Sequence, residues 1–285
     1  MSILEIITER VEEKPIPSVI AFKLLKLIED EDHSLKDVTK LVEADPSLTT
    51  EVLKVANTPA YYRGNAVSTV NRAILLLGEM MVVGVAICAS SSIVFHAPLE
   101  GYDSPEGEMW EHSLRTAIAA KALAKYANKN IQPGLAFTAG LLHDIGKSVI
   151  SEFLIGKSNI LLEACGSGKC ANFTDAEREL LGTDHTKVGY ALAEYWGLPE
   201  SLKIPIRDHH EPHLTLDRYK PLCYLIHLAD LLAMSGGCGT GTDSFAYTID
   251  RRYEEHIKLD RNEIEILLLQ IQDDFTSIKE SIMNR

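Results

Sequence analysis

With 285 residues, 46% of them apolar and 24% charged, the chain can bury one large core or two smaller ones, and this composition argues against disorder. Its formal net charge of −13 argues against binding along a nucleic-acid polymer or to a membrane surface, because both attract lysine and arginine. One small phosphorylated ligand remains compatible, since a bound metal ion reverses the local charge. Charges within residues 1–14 argue against a signal peptide, and five scattered cysteines are typical of reduced thiols in the cytoplasm.

The first third of the sequence predicts consecutive helices with clear start signals. Ser34 followed by Asp37 has the pattern of a capping box. The pair Asp45-Pro46 predicts another helix start, with proline in the first turn. Ser68 precedes a third predicted helix, which should end at Gly78.

The most apolar stretch, residues 73–95, is long enough to raise the question of a membrane span. Gly78 and Glu79 interrupt it. We therefore expect two buried helices that meet at Gly78, and no contact with a membrane.

The segment APLEGYDSPEG, residues 97–107, is the clearest break in the helical pattern. It predicts a boundary between an N-terminal helical domain, 1–103, and a second domain, 104–285. Helical spacing resumes at 109–127 and returns at 263–282, whereas the alternation typical of strands is almost absent. The predicted fold class is all-α.

The stretch LLHDIGK, 141–147, places His143, Asp144 and Lys147 within apolar sequence. If it is helical, His143 and Lys147 lie one turn apart on one face, and Gly146 would let a ligand approach the backbone. Other ionisable residues also lie in or beside apolar sequence, and buried charges need partners or metals. They are Glu108, His112, His185, His209, His210 and Asp230.

Two N-terminal motifs, ADPSLTTEVLKVAN (44–57) and STVNRAILLLG (68–78), resemble the opening of an HDOD domain. That family comprises bacterial all-helical signalling modules related to the HD phosphohydrolases, and the resemblance covers roughly residues 10–235. It implies an N-terminal helical bundle followed by an HD-type domain, with other signalling proteins as partners.

The order of the chemistry-bearing residues resembles the HD superfamily, and the additional histidines resemble its HD-GYP branch. The resemblance implies two transition-metal ions, with iron or manganese favoured and zinc possible. It implies that the first ion is held by His112, His143, Asp144 and Asp230. It implies that the second is held by Glu108, His185, His209 and His210, with Asp144 bridging, while Lys147 matches the lysine of the family's HDxGK motif.

One departure limits what the resemblance transfers. The HD-GYP branch is named for a Gly-Tyr-Pro motif, which is missing after His209-His210-Glu211. The chemistry of that branch on cyclic dinucleotides is therefore not carried over. The remaining prediction is a metal-dependent phosphohydrolase or phosphodiesterase for a phosphate or nucleotide-like phosphodiester ligand, with Asp144 and Lys147 as catalytic residues. The alternative is a non-catalytic regulatory or scaffold module whose metal site is structural or sensory.

Single residues also keep alternative interpretations. Glu108 could belong to a solvated acidic face, and the stem of Lys147 could simply cover apolar surface. His227, one turn before Asp230, could support a metal ligand from behind. Cys165 and Cys170 flank GSGK, but without a second pair at suitable spacing free thiols are favoured over zinc or a disulfide.

Overall fold

The computed structural model describes residues 3–61, 64, 66–237, 239–243 and 247–283, with backbone only at 92 and 281–283. Within those ranges the chain is helical and forms no strand, which confirms the predicted all-α class. The helices are α1 (Ile3–Glu13), α2 (Val19–Glu29), α3 (Leu35–Glu43), α4 (Pro46–Ala56), α5 (Val70–Leu77), α6 (Glu79–Ser90), α7 (Ser92–His96), α8 (Glu108–Leu123), α9 (Pro133–Leu142), α10 (Lys147–Leu154), α11 (Ser158–Gly166), α12 (Phe173–Leu181), α13 (His185–Tyr195), α14 (Glu200–Asp208), α15 (Lys220–Ser235) and α16 (Arg261–Met283).

The chain divides into two compact units, each made of two segments. Unit 1 comprises Met1–Pro15 and Ile93–Arg261, and unit 2 comprises Ile16–Ser92 and Asn262–Arg285. The predicted boundary between residues 103 and 104 divides the chain only once. In this division, by contrast, the N-terminal segment Met1–Pro15 belongs to unit 1 and the C-terminal segment Asn262–Arg285 belongs to unit 2. Helix α1 packs against α10 and α13 of unit 1, whereas most of α16 belongs to unit 2.

In unit 2, the predicted helix starts are formed by side-chain caps. The hydroxyl of Ser34 accepts a hydrogen bond from the backbone of α3, and Asp45 caps α4 through two backbone N–H groups. The cap of α5 is Thr69 and not Ser68, so that prediction was wrong by one residue. Gly78, with a φ of +85°, ends α5 as predicted.

The apolar stretch 73–95 folds as two helices that meet at Gly78. The chain bends by 107° between α5 and α6, and residues 81–87 of α6 are buried. In the part of the chain that the structure describes, no single helix has the length and hydropathy needed to cross a membrane. The bent pair α5 and α6 reaches that length and hydropathy only when its two helices are counted together.

Unit 1 is organised around the pair α8 and α9, with α15 packed against both. The two helices approach closely at Gly140, where an added Cβ would lie 3.0 Å from the Cα of Ala117 and from the carbonyl oxygen of Thr116. The glycine therefore permits backbone contact between α8 and α9. The contact brings His112 on α8 beside the end of α9, where His143 follows.

Candidate metal centre

The LLHDIGK stretch is a junction between two helices. Helix α9 ends at Leu142 and α10 begins at Lys147, and residues 143–146 form a tight turn in which the amide of Lys147 donates to the carbonyl of Asp144 at 3.0 Å. The expectation that His143 and Lys147 share one helix face is therefore wrong. A turn, unlike a continuous helix, directs His143 and Asp144 into the same buried space from consecutive positions.

Gly146 serves the packing of this turn. A Cβ at this position would lie 1.9 Å from the carbonyl oxygen of His185 and 2.5 Å from the amide nitrogen of Gly189, both on α13. The missing side chain thus admits the first turn of α13, not a ligand as expected from the sequence. The contact also fixes where His185 enters the site.

The first cluster consists of His112, His143, Asp230 and the Oδ2 atom of Asp144. The two Nε2 atoms of His112 and His143 lie 3.2 Å apart. The Oδ1 atom of Asp230 lies 3.1 Å from Nε2 of His112 and 3.5 Å from Nε2 of His143. The Oδ2 atom of Asp144 lies 3.6 and 3.4 Å from the same two nitrogens.

The second cluster consists of His185, His209, His210 and the Oδ1 atom of Asp144. This oxygen lies 3.4 Å from Nε2 of His185 and 3.5 Å from Nε2 of His209. The Nε2 atoms of His185 and His210 are 3.1 Å apart. Asp144 therefore presents one carboxylate oxygen to each cluster.

The donor atoms of both clusters fit metal ions. Metal–ligand bonds of about 2.1 Å place neighbouring donors roughly 3.0–3.4 Å apart, close to the separations found here. In addition, Oδ1 of Asp144 and Nε2 of His209 are buried without a hydrogen-bond partner among the described residues. Buried polar atoms are rarely left unsatisfied, and a metal ion bound here would satisfy both.

Backbone carbonyls orient several of the rings from behind. The Nδ1 atom of His143 is 2.8 Å from the carbonyl oxygen of Gly140, and Nδ1 of His209 is 3.0 Å from that of Ile206. A carbonyl can only accept, so in both rings Nδ1 carries a proton, and in the neutral form of each ring Nε2 offers its lone pair. His227 in turn places its Nδ1 atom 2.9 Å from the backbone carbonyl oxygen of His209, and its support of a metal ligand stays a prediction.

Burial and charge shift the pKa values of individual residues at the site in opposite directions. Burial lowers the pKa of His210 well below its ordinary value, and the neighbouring His209 adds to this effect. Burial also opposes ionisation of His143 and Asp144, but their mutual attraction outweighs it, raising the pKa of His143 to about 10 and holding that of Asp144 well below its usual range. His210 is thus ready to bind a metal near neutral pH, whereas His143 would first release a proton.

Lys147 lies inside the site but is fully engaged by protein groups. Its Nζ atom lies 2.6 Å from Oδ2 of Asp144, from Oδ2 of Asp243 and from the hydroxyl of Thr240. An ammonium group has three protons, so these partners use all of them. Tyr247 donates to Asp243 and stacks on His210 with ring centroids 4.1 Å apart.

Glu108 is not brought into either cluster. It occupies the first turn of α8, is half-buried, and accepts a hydrogen bond from the hydroxyl of Ser104 at 2.9 Å. Every other metal ligand implied by the sequence lies within 4.8 Å of at least two further donor atoms.

Among the residues at the site that were not found from the sequence are Glu177, Thr240, Asp243 and Tyr247. Glu177 stands in the charged stretch DAERE, which has the pattern of a solvated helix face. Thr240 and Asp243 stand in the glycine-rich segment GGCGTGTD, 236–243, whose composition is typical of a flexible loop. None carried a local signal, because their partners are distant in the chain.

The model of the HDOD domain family matches residues 15–212. The chain belongs to the HDOD family. The match confirms the resemblance carried by the two N-terminal motifs, and Asp230 and Asp243 lie beyond its end. The matched residues include the tight turn at LLHDIGK and all three histidines of the second cluster.

One curated relative matches most of this chain but less than half of its own length. An uncharacterised protein of Treponema pallidum (strain Nichols) is 27% identical over 233 residues, which are 79% of this chain and 43% of that protein. The chain spans less than half the length of the curated relatives it matches.

Two solved structures share the whole architecture. An HDOD domain protein of unknown function from Geobacter sulfurreducens has a TM-score of 0.70 at 22% identity, covering 98% of this chain and 99% of the other. A Shewanella amazonensis protein, provisionally named a phosphohydrolase, has a TM-score of 0.68 at 24% identity, covering 97% of both chains. At these identities the likeness shows the fold alone.

Proposed function

We propose that this HDOD protein is a cytoplasmic metal-dependent phosphohydrolase of the phosphodiesterase type. Its two clusters would hold two transition-metal ions, with iron or manganese favoured and zinc possible. The observation that carries the proposal is the position of Asp144, whose two oxygens lie 3.4 Å from Nε2 of His143 and 3.4 Å from Nε2 of His185. Bound ions would polarise the phosphoryl oxygens of a substrate and lower the pKa of water.

The chain's own residues would bind and orient the phosphate. Asp144 and Lys147 would be the catalytic residues, with the ammonium of Lys147 offsetting negative charge on the substrate once its contact with Asp243 has been exchanged. The net charge of −13 favours a small phosphate or nucleotide-like phosphodiester over a nucleic-acid polymer.

The closed state of the site favours a second candidate, a regulatory or scaffold module with a structural or sensory metal site. His112, His143, Asp144 and Asp230 are at most 2% exposed. Lys147 has no proton left for a ligand in this arrangement. In this role the protein would act on other signalling proteins and not on a phosphate ester.

Metal analysis followed by a turnover assay separates the candidates. Protein purified under reducing conditions and loaded with iron, manganese or zinc should hold two ions. Asp144→Ala should lose both, and His112→Ala only one. Glu108→Ala is the matched control from the same helix, and it should keep both ions because its carboxylate bonds Ser104.

Each outcome decides between the proposals. Wild-type protein that stays empty with all three metals contradicts the metal site altogether. Two bound ions with hydrolysis of a phosphodiester substrate, abolished by Asp144→Ala, support the enzyme. Two bound ions without turnover on a panel of phosphomonoesters and phosphodiesters favour the regulatory module.

A further inference from the structure

Glu177 is a buried carboxylate behind the second cluster, outside the set of predicted ligands. It lies on α12 and is fully buried. One of its oxygens, Oε2, accepts from the backbone amide and from Nδ1 of His185, both at 2.8 Å. The other, Oε1, accepts from the hydroxyl of Tyr102 at 2.5 Å. Among the described residues the structure gives it no lysine or arginine partner.

The support of His185 differs from that of His143 and His209. His143 and His209 present Nδ1 to neutral backbone carbonyls, whereas His185 presents Nδ1 to a carboxylate. A carboxylate partner makes an imidazole a stronger electron donor at its other nitrogen and fixes its tautomer. Nε2 of His185 is the atom that faces Asp144 and His210.

The two clusters differ in negative charge, and this difference gives a reason for a carboxylate behind His185 in the second cluster. In the first cluster, carboxylate oxygens of both Asp230 and Asp144 lie within 3.6 Å of its two histidines. The second contains three neutral ligands, His185, His209 and His210, and only a share of Asp144. A divalent ion there would meet less negative charge, and Glu177 supplies a further negative charge one imidazole ring away.

We infer that Glu177 is a positioning residue that holds His185 with its proton on Nδ1 and strengthens metal binding at the second cluster. Tyr102 fixes the carboxylate through its second oxygen. The inference rests on the proposed metal site. It adds that the two ion positions are unequal, because binding of the second ion depends on Glu177, a residue that would not contact the metal.

The first test uses Glu177→Gln. The amide oxygen can still accept both hydrogen bonds from His185, and its NH₂ group can face the hydroxyl oxygen of Tyr102, so shape is kept and only the charge is lost. Glu179→Gln is the matched control on the same helix, where the glutamate is exposed and paired with Lys169. Metal-loaded proteins are dialysed against graded chelator, and the ions retained are counted.

Glu179→Gln should release each of its two ions at the same chelator concentration as wild-type protein does. Glu177→Gln should release one of its two ions at a chelator concentration about 10- to 100-fold lower. Combining it with His112→Ala, which empties the first cluster, should leave a protein that holds its remaining ion weakly. Equal retention of both ions in Glu177→Gln and in wild type would overturn the inference.

A second readout needs no metal. Nitrogen NMR of metal-free protein at alkaline pH, where the ring is neutral, should show His185 protonated on Nδ1, and Glu177→Leu should shift the proton toward Nε2. Wild-type protein with the proton on Nε2 overturns the inference. Wild-type protein that binds no metal contradicts the proposed function instead, and the tautomer of His185 then still decides the role of Glu177.

If the Glu177 variants do not fold, Tyr102→Phe, which removes only the hydroxyl, provides the test. It should also release the ion of the second cluster at a lower chelator concentration than wild-type protein does.

Discussion

At the scale of single residues, the site depends on groups that carry no chemistry themselves. Gly146 is the clearest case, since a Cβ there would overlap the backbone of α13, at 1.9 Å from the carbonyl oxygen of His185. Backbone cannot rotate away as a flexible side chain can. The close packing of this turn against α13 therefore requires a residue without a side chain at position 146.

We expect Gly146→Ala to lower the free energy of unfolding by about 3 kcal/mol, the upper part of the usual range for overpacking. Gly166→Ala is the matched control, because Gly166 ends α11 with nothing within 4 Å of the added Cβ. It should be neutral or slightly stabilising. Urea unfolding of both variants measures the difference, and equal stabilities would contradict the close contact with α13.

Lys147 belongs to the same scale, because its protons are shared between Asp144, Thr240 and Asp243. Asp243→Asn weakens one of these contacts and should free the ammonium for an oxyanion. We expect metal-loaded Asp243→Asn to bind inorganic phosphate about tenfold more tightly than wild type, and Lys147→Met about tenfold more weakly.

Both variants should keep their two ions, because neither residue is a predicted ligand. Titration calorimetry with phosphate gives the affinities, and metal analysis of the same samples is the control. Unchanged phosphate affinity in Lys147→Met would remove the charge-stabilising residue from the enzyme proposal.

At the scale of elements, His33 connects the turn between α2 and α3 to the first residue of α6. Its Nε2 atom lies 2.9 Å from the carboxylate of Glu79, and its Nδ1 atom lies 2.7 Å from the carbonyl of Asp30. The bond to Glu79, followed by that to Asp30, raises the pKa of His33. A raised folded pKa adds stability that is complete below the unfolded value of about 6.5 and is lost as pH rises through the folded value.

We therefore expect Glu79→Gln to lower stability by less than about 1 kcal/mol below pH ~6, and by a vanishing amount at alkaline pH. Glu51→Gln is the control, since Glu51 pairs with Lys54 at 3.2 Å and this ion pair contains no histidine. Its effect should not vary between about pH 6 and 9. Chemical unfolding followed by far-UV circular dichroism tests this, and a pH-independent effect of Glu79→Gln would contradict the role of His33.

At the scale of the whole molecule, unit 1 is completed by the first fifteen residues. Helix α1 buries Ile7 and Val11, and Lys14 donates to the carbonyl of Ser148 at 2.7 Å. A domain defined to begin at residue 104 would lack these contacts. It would also lack Tyr102, which holds Glu177.

Deleting residues 1–15 should lower the stability of unit 1 by up to about 3–6 kcal/mol, because two aliphatic side chains lose their burial. The only two tryptophans, Trp110 and Trp196, both lie in unit 1, so their fluorescence reports its unfolding. Within α1, Ile7→Ala should reproduce about 2–5 kcal/mol of the loss, while the exposed Leu4 should tolerate alanine. An unchanged fluorescence transition after the deletion would show that α1 does not stabilise unit 1.

The sequence by itself determined the helical class, two of the helix caps, the end of α5 at Gly78 and the family. These features depend on groups three or four residues apart or on contiguous motifs, so they can be read locally. Only the tertiary structure decided that LLHDIGK is a turn, that Gly146 admits α13, and that Glu108 turns to Ser104. It also decided that Glu177 supports His185 across 8 residues and that Asp243 pairs with Lys147 across 96. Burial strengthens these hydrogen bonds and ion pairs because it removes them from water. The sequence pattern alone does not show which distant polar groups are buried together.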